Sequence, residues 1–259
     1  MSLKSLILFF FLGWALFACQ NTDSESTNRS KATKQSEEKH PSVSSNISRE
    51  FLLGKFEYSD HNDFVLMDSK WSDKDIYLQR EANAAFEKMA EAAQKDGIDL
   101  IVVSGTRNFN EQRRIWEKKW MNNPEEDPRK KALEILAFSS MPSTSRHHWG
   151  TDIDINSVEE AYFEEGKGKA VYEWLDSHAG DFGFCQVYSN KKVSNRTGYN
   201  EEPWHWSYMP LANKFLEAYI QSINYTNITG FEGSELAESL QMIEYFVKGL
   251  NPNCNAKGK

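Results

Sequence analysis

Two short stretches of the chain combine residue types that bind metals with residue types that move protons. Residues 145–154 read S-R-H-H-W-G-T-D-I-D, and residues 202–206 read E-P-W-H-W. Together they supply two imidazoles, from His147 and His205, and one carboxylate, from Asp154. A zinc ion held by three such ligands keeps a fourth tetrahedral position open for a reactive water. The two stretches therefore predict a catalytic zinc site.

The second stretch also contains a candidate for proton transfer. Glu202 lies three residues before His205, where a carboxylate that does not bind the metal could take a proton from water. His205 itself stands between Trp204 and Trp206, and a polar ring among large aromatic side chains is costly unless its nitrogens are satisfied. Zinc on one nitrogen and a hydrogen-bond acceptor on the other would satisfy both.

Three spaced motifs extend this pattern, and through them the chain resembles the zinc D-alanyl-D-alanine carboxypeptidases of the VanY type, which trim bacterial peptidoglycan stem peptides. The family motifs S-x-x-R-x-x-x-x-Q, S-x-H-x-x-G-x-A-x-D and E-x-W-H occur here in the family's order. Their matching residues are Ser104, Arg107 and Gln112, then Ser145, His147, Gly150 and Asp154, then Glu202, Trp204 and His205. Three ordered motifs are far more specific than any one of them.

The resemblance implies a role for each matching polar residue. It assigns one zinc ion per chain to His147, Asp154 and His205, proton transfer to Glu202, the scissile carbonyl oxygen to Arg107, and substrate holding to Ser145 and Gln112. These types suit the chemistry, because zinc polarises a carbonyl and an arginine's fixed donors can meet developing negative charge.

The chain departs from the family pattern at two positions. Where the family usually has a small residue two before the ligand aspartate, this chain has Asp152, and on a strand Asp152 and Asp154 face the same side. We expect Asp152 to contact substrate, with two alternatives left open: a place behind the metal ligands, or ligation itself. His148 is a similar alternative to His147, although motif register favours His147. Ser207 stands where the family commonly has arginine.

The motifs indicate the type of reaction, but they leave open which peptide bond is cut. The resemblance implies hydrolysis of the terminal D-alanyl-D-alanine bond of peptidoglycan stem peptides. An L,D-carboxypeptidase and a peptidoglycan endopeptidase on the same scaffold remain alternatives. A wall-binding protein without catalysis is disfavoured, because the proposed base and all three ligands are present.

The N-terminal residues predict export. Residues 1–18 contain a short apolar run, too short for a transmembrane helix, and end in L-F-A before Cys19, as in a bacterial lipoprotein signal peptide. Lipidation of Cys19 would anchor the protein in a membrane of the cell envelope, facing the periplasm or exterior. An ordinary secretory signal is the alternative. Residues 19–48 are polar and predict a disordered tether after the lipidated cysteine.

Residues 49–223 predict one zinc peptidase domain. Mixed helical and strand patterns indicate an α+β fold, with helices packed on a small antiparallel sheet. The resemblance implies the fold shared by these peptidases and the Hedgehog signalling domain. Spacing predicts a helix over 77–96 and an N-cap at Asn110, and a helical tail lies within 224–259 with apolar residues spaced over 233–250.

Charge and cysteine content limit the partners and the compartment. A formal net charge of -8 argues against nucleic acid as a partner. The chain has three cysteines, so lipidation of Cys19 would leave Cys185 and Cys254. An exported compartment favours a disulfide between those two residues, which would tie the tail to the domain.

Overall fold

A computed structural model gives the structure of residues 47–255. The predicted signal peptide, Cys19 and nearly all of the predicted tether lie outside the described residues. Within them, the α-helices are α1 (Arg49–Leu52), α2 (Arg80–Lys95), α3 (Phe109–Asn122), α4 (Pro128–Ile135), α5 (Gly166–His178), α6 (Lys191–Ser194) and α7 (Met209–Ser222). The strands are β1 (Phe64–Leu66), β2 (Tyr77–Gln79), β3 (Val102–Ser104), β4 (Asp152–Ile155), β5 (Phe184–Gln186) and β6 (His205–Tyr208).

A four-stranded antiparallel sheet carries the predicted site. Its strand order is β3-β4-β6-β5, so the two motif strands β4 and β6 are neighbours at its centre. In their register Asp154 lies opposite His205, and Asp152 lies opposite Ser207. The second sheet is the antiparallel pair β1 and β2. The predicted α+β class with a small antiparallel sheet is confirmed.

The two faces of the central sheet differ in chemistry because side chains alternate along a strand. On one face Ile153 and Trp206 pack in an apolar cluster with Phe86 and Met89 of α2 and with Leu175 of α5. The alternate residues of β4 and β6 are polar and fall on the opposite face. The apolar cluster therefore fixes the strands whose other face holds the predicted site.

Two local predictions are wrong. The expected helix over 77–96 begins only at Arg80, because Tyr77–Gln79 forms β2 and pairs with Phe64–Leu66. The N-cap of α3 is Asn108 rather than Asn110. The Asn108 side chain accepts the Glu111 backbone N–H at 3.0 Å, and the Glu111 side chain accepts the Asn108 backbone N–H at 2.7 Å.

The tail packs against the domain, although in a different local form from the one predicted. Instead of a continuous helix over 233–250 it forms a 3₁₀ turn, Ser234–Leu236, and a π-helix, Met242–Val247. Gln241 interrupts the helix with a left-handed φ of 51°. Several tail side chains are buried in a large apolar cluster that also holds domain side chains, including Met242, Ile243, Phe246, Val247, Trp116, Trp149 and Tyr199.

A disulfide joins the tail to the sheet. Cys185 of β5 and Cys254 are bonded, with their Cα atoms 5.6 Å apart, which confirms the predicted pair. Among residues 47–255 no helix is both long and apolar enough to cross a membrane.

Candidate metal centre

Three separate elements bring the predicted ligands together. His147 lies on a 3₁₀ turn, Arg146–Trp149, and Asp154 and His205 are direct cross-strand partners on β4 and β6. Asp154 Oδ1 is 3.3 Å from His205 Nδ1 and 3.5 Å from His147 Nε2. One donor atom from each residue lies within 4.8 Å of the others, and all three residues are buried. The structure thus forms one candidate metal cluster from the three predicted ligands.

The remaining nitrogen of each histidine has its own hydrogen-bond partner. His147 Nδ1 is 2.7 Å from the Gly105 carbonyl oxygen, so this nitrogen donates and Nε2 keeps a lone pair for the cluster. His205 Nε2 is 2.9 Å from Asp152 Oδ2, so here Nδ1 is the nitrogen that faces Asp154. Such partners orient a ligating imidazole and set its tautomer.

The cluster fits a metal ion in spacing and in charge. Ligand atoms about 2.0–2.2 Å from a tetrahedral zinc stand roughly 3.3–3.5 Å apart, which matches both measured separations. Asp154 Oδ1 is buried and has no hydrogen-bond partner among the described residues, as expected of an oxygen that awaits a cation. Burial alone would lower the pKa of His205, but the neighbouring carboxylates of Asp152, Asp154 and Glu202 raise it well above its ordinary value. Positive charge is therefore favoured here.

Glu202 lies at the edge of the cluster on a backbone that is held firmly. Its Oε2 atom is 3.2 Å from His205 Nδ1. Its backbone N–H donates to the Tyr188 carbonyl at 2.9 Å, and its carbonyl accepts from the Gln186 side-chain amide at 3.2 Å. Burial raises the pKa of Glu202, and contact with His205 opposes that rise. A carboxyl group with a raised pKa can both accept and return a proton.

Arg107 reaches the cluster from the loop between β3 and α3. Its guanidinium Nη1 is 3.5 Å from Asp154 Oδ2 and also donates to the Ser104 hydroxyl, while Nε donates to Gln112 Oε1 at 3.0 Å. Gln112 in turn donates from Nε2 to the Ser140 carbonyl at 2.8 Å. Ser104 and Gln112 of the first motif thus hold the Arg107 guanidinium beside the cluster. Gln112 lines the cavity and holds Arg107 in place.

The substrate contact predicted for Asp152 must be corrected. Asp152 is fully buried and does not line the cavity, because its side chain is enclosed behind His205. Oδ2 accepts from Arg146 Nε and His205 Nε2, each at 2.9 Å, and Oδ1 accepts hydroxyl donors from Thr151 at 2.7 Å and Ser207 at 2.8 Å. Of the alternatives left open by the sequence, the structure favours the place behind the metal ligands.

Ser145, which the resemblance assigns to substrate holding, and His148, the alternative to His147, also lie away from the cavity. Ser145 is buried, and its hydroxyl has no partner among the described residues, so its expected contact with substrate is corrected too. His148 accepts the Ser143 backbone N–H at Nε2 (3.0 Å) and donates from Nδ1 to the Arg107 carbonyl (2.7 Å). Burial lowers the pKa of His148 to about 3. With both nitrogens engaged, His148 is not part of the cluster.

Residues 75–211 match the family model described as VanY, D-alanyl-D-alanine carboxypeptidase. The chain belongs to this family. The match contains all three motifs and every residue of the candidate metal cluster.

Named relatives agree with the family match. The chain is 30% identical over 174 residues to YodJ of Bacillus subtilis (strain 168), covering 63% of this chain and 58% of YodJ. It is 33% identical over 126 residues to a D-alanyl-D-alanine carboxypeptidase of Enterococcus faecalis (strain ATCC 700802 / V583), covering 48% of this chain and 45% of that protein. The chain therefore spans about half the length of these two relatives.

A solved structure is also similar. VanYB in complex with D-alanine-D-alanine is 25% identical, with a TM-score of 0.46, and the match covers 62% of this chain and 89% of that chain.

The VanY-type cluster opens into a cavity of about 390 Å³ whose walls include residues that the motifs did not predict. The Tyr188 ring contacts His205 in a tilted arrangement with ring centroids 4.7 Å apart, and burial raises the pKa of the Tyr188 hydroxyl well above its ordinary value. Lys119 lines the same cavity from α3, seven residues after Gln112. Helical spacing from Gln112 could have indicated Lys119, since residues seven apart share a helix face. Glu159 and Glu160 lie in the wall as well.

Proposed function

We propose that the protein is a zinc-dependent D-alanyl-D-alanine carboxypeptidase that removes the terminal residue of peptidoglycan stem peptides. One observation carries the proposal: His147 Nε2, Asp154 Oδ1 and His205 Nδ1 meet at a cavity beside Glu202 and Arg107. The family description and the named Enterococcus faecalis relative support this activity.

Each residue of the site has a defined task in this reaction. His147, Asp154 and His205 would hold the zinc ion, which supplies a Lewis acid that polarises the scissile carbonyl and makes water more acidic. Glu202 accepts the proton of the attacking water at its carboxylate and later returns it to the leaving amine. Arg107, braced by Gln112, donates to the carbonyl oxygen as negative charge develops there.

The cavity also offers cations for the free carboxylate of a terminal D-alanine. Arg107, whose Nη1 is 3.5 Å from Asp154 Oδ2, and Lys119 both line it. A carboxylate hydrogen-bonded to a charged donor is held more strongly than one bonded to a neutral donor. We assign the scissile carbonyl to Arg107 and the terminal carboxylate to the Lys119 side of the cavity.

We also propose that the protein works in the cell envelope as a membrane-anchored lipoprotein. The sequence around Cys19 supports the anchor, and the Cys185–Cys254 disulfide supports an oxidising compartment. Mass spectrometry of the protein extracted from its native membranes tests the anchor, because lipidation would leave an N-terminal peptide that starts at a diacylated Cys19. An unmodified N-terminal peptide would reject it.

Digestion of defined muropeptides tests the activity directly. The zinc-loaded protein should release D-alanine from a stem pentapeptide, as read by mass spectrometry, and a chelator should abolish the release until zinc is restored. Cleavage of the tetrapeptide with an intact pentapeptide would instead assign L,D-carboxypeptidase activity. Cleavage of the cross-linked dimer alone would assign an endopeptidase.

A further inference from the structure

The two departures from the family pattern meet behind the metal centre. Asp152 and Ser207 are cross-strand partners on β4 and β6, and the Ser207 hydroxyl donates to Asp152 Oδ1 at 2.8 Å. Neither side chain reaches the cavity, and both are fully buried. A carboxylate in such a place needs compensation, because burial of an unpaired charge is strongly unfavourable.

Arg146 supplies that compensation from the turn beside His147. Its Nε donates to Asp152 Oδ2 at 2.9 Å, and its Nη2 donates to the Ser207 hydroxyl. The guanidinium is itself buried and lies over the Trp149 ring, 5.1 Å from its centroid. Serine at position 207 leaves room for this cation, whereas an arginine there would bring a second guanidinium into the same buried space.

Asp152 connects Arg146 and Ser207 to one of the metal ligands, His205. The same Oδ2 atom that pairs with Arg146 accepts the proton of His205 Nε2 at 2.9 Å. Because Nε2 donates to Asp152, Nδ1 is the nitrogen left to bind the metal. His205 is thereby held by a fixed and fully hydrogen-bonded carboxylate rather than by water.

We propose that Asp152, held by Arg146 and Ser207, is a positioning residue that orients His205 and strengthens metal binding. The inference rests on the metal site of the proposed function, but not on which substrate is cut. Loss of such a partner of a ligating histidine typically weakens metal affinity by about 10- to 100-fold. The direct readout is therefore zinc affinity, measured without substrate.

The first test compares two isosteric substitutions that each remove one negative charge beside His205. Asp152→Asn acts on the Nε2 side, and Glu202→Gln acts on the Nδ1 side. Chelator competition should give a zinc Kd about 10- to 100-fold weaker for Asp152→Asn and a clearly smaller change for Glu202→Gln. Equal losses would mean that only charge matters and would overturn the positioning role. A wild-type Kd in Asp152→Asn would overturn it as well.

A charge-neutral double variant covers the case in which Asp152→Asn fails to fold because Arg146 is left without its partner. Asp152→Asn combined with Arg146→Met removes both charges, so the net charge of the site is unchanged. Zinc affinity should stay about 10-fold weaker than in the wild type, and the visible absorption of the cobalt-loaded protein should change. Recovery of wild-type affinity and spectrum would overturn it.

A separate control distinguishes failure of this inference from failure of the metal site. His205→Ala should lose zinc altogether. If His205→Ala keeps zinc, the ligand assignment in the proposed function is wrong, and the role of Asp152 falls with it. If His205→Ala loses zinc while both Asp152 variants bind it normally, only the positioning role is wrong.

Discussion

The two ligand histidines have the same chemistry but opposite electrostatic surroundings. Burial lowers the pKa of His147, and the nearby Arg107 charge lowers it further, so this ring is neutral and ready to bind a metal. His205 instead contacts three carboxylates, which outweigh burial and raise its pKa. In the metal-free site the metal-facing nitrogen of His147 therefore carries no proton, whereas His205 has to give up a proton when the metal binds.

This difference predicts a pH dependence of metal binding. The pKa of His205 is raised in the metal-free protein, so below it the ring is protonated and zinc must displace that proton. Zinc affinity should fall as pH falls through the raised pKa, and it should still be rising with pH above the ordinary histidine value of about 6.5. Chelator competition over roughly pH 6 to 9 measures it. An affinity that is flat throughout the upper half of that range would contradict the assignment.

Glu202 provides the second prediction at this scale. Glu202→Gln should keep zinc but lose about 10²- to 10⁴-fold in kcat, the usual contribution of a positioned proton-transfer group. Steady-state hydrolysis of a D-alanyl-D-alanine peptide, with metal content measured on the same sample, checks both parts.

The matched control for this variant is Glu201→Gln. The Glu201 side chain is a neighbour that instead accepts a hydrogen bond from Asn190 at 2.7 Å. It should leave the rate near wild type. The base would be misassigned if Glu201→Gln abolished turnover and Glu202→Gln did not.

At the scale of elements, the N-terminus of α3 links a local signal to the site. Asn108 and Glu111 form a capping box one residue after Arg107, and one turn further α3 carries Gln112, which braces the guanidinium. The well-ordered first turn of α3 therefore helps to fix the position of Arg107.

Removal of this cap should destabilise the protein by about 1 kcal/mol, because an N-cap side chain satisfies a helix donor that would otherwise lack a partner. Asn108→Ala should lower the free energy of unfolding by that amount in urea titrations. Asn110→Ala, at an exposed position on the same helix, should stay within about 0.5 kcal/mol of wild type. Equal effects of the two substitutions would show that the cap is not where the structure places it.

The sequence predicted the elements that carry motifs better than those that depend on pairing. The three ligands and Glu202 could be found from residue type and spacing, and Arg107 from the resemblance to the family. Asp152 could not be placed, since its role depends on a guanidinium from another element and on the register of β4 with β6. Residues Tyr77–Gln79 fit the helical pattern of the sequence, but they form β2 because they pair with β1.

The tail shows the same limit. Its apolar spacing correctly indicated that it packs on the domain, because burial depends mainly on which residues are apolar. The spacing did not indicate the left-handed Gln241, which replaces the expected helix by a short π-helix. Asparagine at 108 and at 110 is equally suited to capping, and only the backbone decides between them.

At the scale of the whole molecule, the tail is fastened next to the loop that carries Glu202. Asn251 donates from its backbone to the Val187 carbonyl at 2.9 Å and from its side chain to the Gln186 carbonyl at 3.1 Å. Gln186 and Tyr188 are the residues that hold the Glu202 backbone. The disulfide between Cys185 and Cys254 adds a covalent link between β5 and the tail.

The disulfide should therefore contribute strongly to stability. It links positions 69 residues apart, and closing a loop of that size lowers the entropy of the unfolded chain enough to stabilise the fold by about 4 kcal/mol. Cys185→Ser combined with Cys254→Ser should lower the free energy of unfolding by about that amount in urea titrations. A reducing agent should do the same to the wild-type protein and leave the double variant unchanged. A wild-type protein that is insensitive to reduction would contradict this expectation.

Asp154 and His205 face each other across the two central strands, so the metal site depends on the register of these strands. A slip of one residue between β4 and β6 would turn the ligand side chains toward the apolar cluster and bring Ile153 or Trp206 to the polar face. A mispaired sheet could not gather the three donors, so a metal ion can bind only to correctly paired strands. Bound zinc would therefore stabilise the correct register of β4 and β6 relative to every slipped one.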